Sequence, residues 1–261
     1  MDSSERSWAN WSAFLKVAYR GIMLQVLVLL MAYRPVAVVA QSGHELGPGR
    51  ESAVVGAGFA LHGVSLWRHQ RNKDRPLPPL DLARVPAFDR ISTTQWSLRA
   101  HRASNILFGA VAAAAFTTAI IAQRDDRPEV PAVLILESGL LSSGLTNTVK
   151  ELVRRPRPYL YNPAVPASVH RKGEDAVSFW SGHTANMAAI TFSAAAIVQR
   201  SDVSSDAKLA TWLGAAAAPA LMGYIRVRAG RHFPSDVLVG YLVGAAVGLT
   251  VPYIHQPRTA H

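Results

Sequence analysis

Two histidines, one carboxylate and three fixed cations fall in three short stretches of this chain. The first stretch is Lys150-Glu-Leu-Val-Arg-Arg-Pro-Arg157-Pro158. The second is Ser181-Gly182-His183, and the third runs Arg226-Val-Arg-Ala-Gly-Arg-His232-Phe-Pro-Ser-Asp236. This inventory suits holding and cleaving a phosphate ester through a histidine. A phosphate monoester carries up to about two negative charges and several acceptor oxygens. Lys150, Arg157 and Arg226 can neutralise it, the arginines with paired donors and the lysine as a point charge. Arg157 sits between Pro156 and Pro158, so an extended turn is expected there. Ser181-Gly182-His183 is expected to open a helix, where free backbone N–H groups bind anions. Gly182 lets a phosphate approach closely, and the Ser181 hydroxyl can add one hydrogen bond.

His232 and Asp236 are four residues apart, a spacing that a helical turn brings to one side. A carboxylate that accepts from one ring nitrogen fixes the tautomer and frees the other nitrogen to attack. Asp236 reads equally as a helix N-cap. The two histidines allow one to serve as nucleophile and the other as acid for the leaving oxygen. A metal site is not expected, because carboxylates are few and three fixed cations would repel the ion. Arg154, Arg155 and Arg231 read as anchors of helix ends at lipid headgroups.

These residues need a scaffold, and composition points to an apolar one. The chain has 261 residues, 49% hydrophobic and only 17% charged. Soluble domains carry about 25% charged residues. There is no cysteine, so disulfides and thiolate metal sites are excluded. The net charge of +10 could serve nucleic acid, an anionic surface or an anionic substrate. No basic helix or aromatic platform supports nucleic acid, so a membrane and a phosphate site are the expected partners.

Residues 1–40 hold an apolar run behind Lys16 and Arg20 and read as a signal peptide cleaved after Ala40 or as a retained signal anchor. Residues 41–102 are expected to form a polar, interfacial connecting region, with a Gly-rich run at 53–67 too short to span comfortably. From 103 to 255 apolar segments repeat at 106–122, 130–149, 184–198, 209–225 and 237–254. Each approaches the length of a membrane-crossing helix, and Ala and Gly favour helix over strand. Gly240, Gly244 and Gly248 mark a close-packing face. The expected fold is an all-α, membrane-embedded bundle of about five to six transmembrane helices. A soluble all-α domain is the alternative. Alternation of the last four segments would bring all three motifs to one end of the bundle.

The three stretches resemble the phosphatidic acid phosphatase type 2 superfamily over roughly residues 100–254. Lys150 to Arg157-Pro158 matches the first part of its signature. Ser181-Gly182-His183 matches the second, with Trp180 in place of proline. Arg226, His232 and Asp236 match the third, with Ile225 in place of serine. The resemblance implies that His232 forms a phosphohistidine, that Asp236 orients it, and that His183 protonates the leaving oxygen and then activates water. Lys150, Arg157, Arg226, Ser181 and Gly182 would hold the phosphate, with no metal or other cofactor.

The expected function is therefore a multi-pass phosphatase of the cell (inner) membrane acting on a lipid phosphate or diphosphate. The site would face away from the cytoplasm, opposite Arg124, Arg127, Arg200, Lys208 and Arg258. The alternatives are a soluble acid phosphatase of the same superfamily, a vanadate-dependent haloperoxidase, and a non-catalytic protein that binds lipid phosphates. The sequence names neither the head group nor the oligomeric state.

Overall fold

The computed structural model describes residues 44–123, 127–170 and 174–257. The expected signal segment at 1–40 lies outside them. The described residues contain six α-helices and no strand: α1 Pro48–Asn72, α2 Leu98–Gln123, α3 Glu129–Val153, α4 Gly182–Gln199, α5 Ser205–Arg228 and α6 Pro234–Ile254. The fold is an all-α helical bundle.

Local chemistry sets the helix ends. Pro48 and Pro234 stand in the first turns of α1 and α6, where a missing N–H costs nothing. Asp236 then accepts from the Phe233 N–H at 2.9 Å, closing the start of α6. The α3 helix runs past the expected end at Val149, so Lys150 lies in its last turn. It stops where Arg154 turns left-handed, with φ 50° and ψ 42°.

The central helix is α4, which packs against α2, α3, α5 and α6. Its contact with α6 is made through the expected glycine face. A Cβ on Gly240 would lie 2.7 Å from the Ser181 carbonyl, and Cβ atoms on Gly244 and Gly248 would strike the carbonyls of Ala185 and Ala189. In lipid the driving force between helices is close contact rather than escape from water, and small residues permit it. Large aliphatic side chains are correspondingly exposed outward: Ile106 and Ile121 on α2, Leu209 and Leu213 on α5, Leu238 and Leu242 on α6. Leu98–Gln123, Glu129–Tyr161 and Pro234–Ile254 are long and apolar enough to cross a membrane.

The run at 53–67 extends into a 25-residue helix, α1, which packs along α3. Its polar residues are answered there. His62 Nε2 lies 3.0 Å from Ser143 Oγ, and His69 Nδ1 lies 2.8 Å from Glu151 Oε1. Asn72 donates to the Glu151 carbonyl and to its carboxylate at 2.8 and 2.9 Å. The contact is close, since a Cβ on Gly144 would sit 2.9 Å from Leu61 Cβ. Residues 73–97 form a loop with short 3-10 turns at Leu82–Arg84 and Arg90–Thr94.

Candidate active site

The helices alternate in direction, so α3 and α5 end where α4 and α6 begin. Lys150 and Arg226 stand in the last turns of α3 and α5, where the helix dipole favours a cation. Gly182 opens α4 and Asp236 lies in the first turn of α6, ends whose N–H groups favour an anion. The backbone ties the two starts together, with Ser181 N–H donating to the Asp236 carbonyl at 3.0 Å.

The three motifs meet at this end of the bundle. The Lys150 ammonium lies against Gly182, so that a Cβ there would stand 3.3 Å from Nζ. Arg157 has the expected extended backbone, φ −75° and ψ 151°. It is aimed by two carbonyls, with Nε donating to Glu174 O at 2.8 Å and Nη1 to Arg231 O at 2.9 Å. Arg226 is 3% exposed, and its Nη1 lies 2.9 Å from Ser104 Oγ and 3.0 Å from His101 Nδ1. Its Nε has no partner among the described residues and remains an available donor. Ser181 is buried, with its hydroxyl 3.0 Å from Thr184 Oγ1. Trp180, at the position of the signature proline, is also buried and donates from Nε1 to Thr146 Oγ1 at 2.8 Å.

His232 lies in the turn between α5 and α6 and is 1% exposed. The turn uses Gly230 at φ +68°, where a Cβ would strike the Gln95 carbonyl. The His232 Nδ1 lies 2.8 Å from the Ser178 carbonyl and 3.7 Å from Asp236 Oδ2. A carbonyl only accepts, so Nδ1 carries the proton and Nε2 keeps its lone pair. Asp236 acts on the ring at one remove, because its Oδ2 accepts from Ser178 Oγ at 2.6 Å. Burial holds the His232 imidazole well below the usual histidine range, and the charges of Arg157, Arg226 and Lys150 push the same way. The Ser178 carbonyl opposes them. His183, the second residue of α4, places Nε2 2.9 Å from Asn105 Oδ1 and its ring edge-on to Phe108.

Several residues of the site lie outside the three motifs, or were read differently in the sequence. Arg155 does not anchor a helix end at headgroups. It donates from Nη1 to Asp236 Oδ1 at 2.6 Å and from Nη2 to Asp89 Oδ2 at 2.8 Å, with its guanidinium over the Phe233 ring. Asp89 also accepts from the Ser235 N–H and hydroxyl at 2.9 and 2.6 Å. Arg154 instead caps the Arg75 and Pro76 carbonyls, and Arg231 lies over the rings of Trp96 and Tyr159. The Tyr159 hydroxyl donates to Asp175, whose carbonyl receives the Arg157 N–H. Among the described residues, no three His, Cys, Asp or Glu side chains are grouped to hold a metal ion.

The model of the PAP2 superfamily matches residues 131–260. Among solved structures, the chain is similar to a transmembrane PAP2-type phosphatidylglycerolphosphate phosphatase from Bacillus subtilis. Identity is 20%, the match covers 90% of this chain and 94% of that one, and the TM-score is 0.41. No curated protein matches the chain. The matched region takes in all three motifs, and the chain belongs to the PAP2 superfamily.

Proposed function

We propose that this protein is a metal-independent phosphatase that hydrolyses a lipid phosphate or diphosphate, such as phosphatidic acid or a polyprenyl diphosphate. The observation that carries the reading is the state of His232. Its Nδ1 is committed to the Ser178 carbonyl, and Lys150, Arg157 and Arg226 surround a ring whose other nitrogen is unprotonated. Such a ring can attack a phosphorus atom held by the same cations.

In the first step His232 Nε2 bonds to phosphorus and the phosphorus–oxygen ester bond breaks. His183, which takes up a proton as the anionic substrate binds, gives it to the departing oxygen, which leaves as an alcohol from a monoester or as the lipid monophosphate from a diphosphate. With Nε2 turned to Asn105, Nδ1 is the atom that delivers the proton. In the second step neutral His183 takes a proton from water, the water oxygen bonds to phosphorus, and the bond to His232 breaks to release inorganic phosphate. Lys150, Arg157, Arg226 and the Gly182 N–H offset the charge of the equatorial oxygens in both steps. Asp236 positions His232 through Ser178, and Ser181 shapes the turn that presents Gly182.

We assign the phosphatase core to residues 103–255 and a connecting region to 41–102, with a signal or anchor segment at 1–40. The chain would be multi-pass in the cell membrane with the site away from the cytoplasm. Arg127, Arg200 and Lys208 cluster at the end opposite the site and fit the positive-inside tendency. Activity of an alkaline-phosphatase reporter fused after residue 261 would reverse this topology.

The test of function is phosphate release from phosphatidic acid, phosphatidylglycerol phosphate, undecaprenyl diphosphate and a water-soluble aryl phosphate. Hydrolysis of at least one lipid phosphate is expected, unaffected by EDTA and inhibited competitively by vanadate. Loss of activity in EDTA with recovery on adding a divalent ion would overturn the metal-independent mechanism. Failure to hydrolyse any member of the panel would overturn the assignment.

A further inference from the structure

The loop ahead of α2 is built with two opposite faces. Asp89 is 1% exposed and bonds inward to Arg155 and Ser235. Its neighbours Phe88 and Ile91 are 65% and 64% exposed. Leu77, Leu80 and Leu82 are exposed on the same loop. Five large apolar side chains this open within residues 77–91 suit a surface that meets something apolar. The inward grip is firm, because Ser235 donates to the Asp89 carboxylate from both its N–H and its hydroxyl.

We infer that the segment 77–91 docks into the headgroup–acyl boundary of the bilayer that the helices span, and through Asp89 fixes the phosphate site at that depth. Three observations select lipid as the occupant. The loop leads within a few residues into α2, one of the helices apolar enough to cross a membrane. Exposed Arg71 and Arg75 precede its apolar residues and exposed Arg84, beside Asp81, lies among them, cations that suit anionic headgroups, while Arg90 folds back onto the Val85 and Ala83 carbonyls. The helix before it ends in an exposed Trp67 with the Arg71 guanidinium 4.2 Å from its ring, the kind of aromatic and basic pairing that sits at a membrane boundary. The geometry then has a functional meaning. The residue that steadies Arg155 and Asp236 is flanked by the residues that touch lipid, so the cradle opens at the level of the headgroup phosphates.

The chain has no cysteine, so Phe88→Cys and Ile91→Cys each give one thiol for a spin label. The full-length protein is placed in nanodiscs of phosphatidylcholine and phosphatidylglycerol. Collisions of the label with oxygen, which concentrates in lipid, are compared with those of a water-soluble nickel chelate. Oxygen should dominate at positions 88 and 91 and nickel at the control Asp202→Cys, exposed in the loop between α4 and α5. Nickel dominating at 88 and 91 would overturn the docking, and low access to both reagents would assign the surface to a protein partner instead. A second arm rests on the phosphatase reading. The double variant Phe88→Ser, Ile91→Ser should lose several-fold turnover on a lipid phosphate in vesicles and keep its rate on a soluble aryl phosphate. Equal loss on both substrates would overturn the positioning role. If the unaltered protein hydrolyses neither substrate, the phosphatase reading fails while the label still decides the docking.

Discussion

Helix α6 has a buried histidine at each end, one among basic groups and the other among carboxyl groups. His232, ahead of Pro234, is surrounded by Lys150, Arg157 and Arg226. His255, just after Ile254, is fully buried, with Nε2 3.2 Å from Glu51 Oε1 and 3.4 Å from Glu137 Oε2. Its Nδ1 lies 2.7 Å from the Val251 carbonyl. Both rings have one nitrogen on a backbone carbonyl. The difference is what faces the other nitrogen. Cations leave a lone pair that can attack and a space that suits an anion. At His255 the Glu51 and Glu137 carboxyl groups instead lie near the second nitrogen, where α1, α3 and α6 meet. On the proposed reading the same residue type is the nucleophile at one end of the helix and a structural link at the other, and basic or acidic neighbours separate the two.

The comparison breaks most sharply on His232→Ala, which should lower kcat/KM by about 10⁵-fold or more while the protein still folds and inserts. Near-normal turnover would end the covalent mechanism. Asp236→Asn should cost about 10³-fold, because the ring stays while the group that holds Ser178 and Arg155 is weakened. A phosphate-release assay on purified protein measures both. Arg155→Met should cost about 10²-fold through small displacement of Asp236, with kcat more affected than KM. An unchanged rate would remove Arg155 from the positioning network.

The other end should respond in stability rather than rate. His255→Ala leaves Glu51 and Glu137 buried without the imidazole and should cost about 3 kcal/mol. A thermal unfolding scan should register this as a lower midpoint, with kcat/KM of the folded protein near normal. A large fall in kcat/KM at an unchanged midpoint would mean that the two ends are not separable.

The smallest effect concerns pH. Because the native His232 is held well below the ordinary value of about 6.5, it stays unprotonated as the solution becomes mildly acidic. The kcat/KM for a soluble phosphate should therefore not fall as pH drops through that value. A fall with the ordinary histidine midpoint would contradict the assignment of the nucleophile. Stability has the opposite tendency. Below about 6.5 the unfolded ring binds a proton that the native ring does not, so stability declines by up to about 1.4 kcal/mol per pH unit. His44, buried at the other end and pushed down to about 4 by burial and by Arg200, adds in the same direction.

The motif residues were legible because a phosphate site needs particular residue types at fixed spacing, and Lys150, Arg157, Arg226 and His232 have no cheaper explanation together. Five of the six helices were legible as apolar runs. The α1 helix was legible only as a short, Gly-rich run at 53–67, because His69 and Asn72 beyond it find their partners on α3 only in the fold. Arg155 and Asp89 were missed for a related reason. An arginine beside a proline and a lone aspartate in a basic loop carry no local pattern, and only the fold pairs them. Ser178 was invisible in principle, since its contribution to His232 is a backbone carbonyl that any residue possesses.

The grip of Asp89 on Ser235 joins residues 146 positions apart. A chain emerging from synthesis has its cations in place by the end of α5, but lacks His232 and Asp236 until the final hairpin arrives. The glycine face of α6 must then slide home on α4 before Ser181 and Asp236 can bond. Maturation is therefore all-or-none with respect to the C-terminal helix. On the proposed reading, a half-inserted chain could hold an anion at Lys150, Arg157 and Arg226, yet without His232 it could not cleave it.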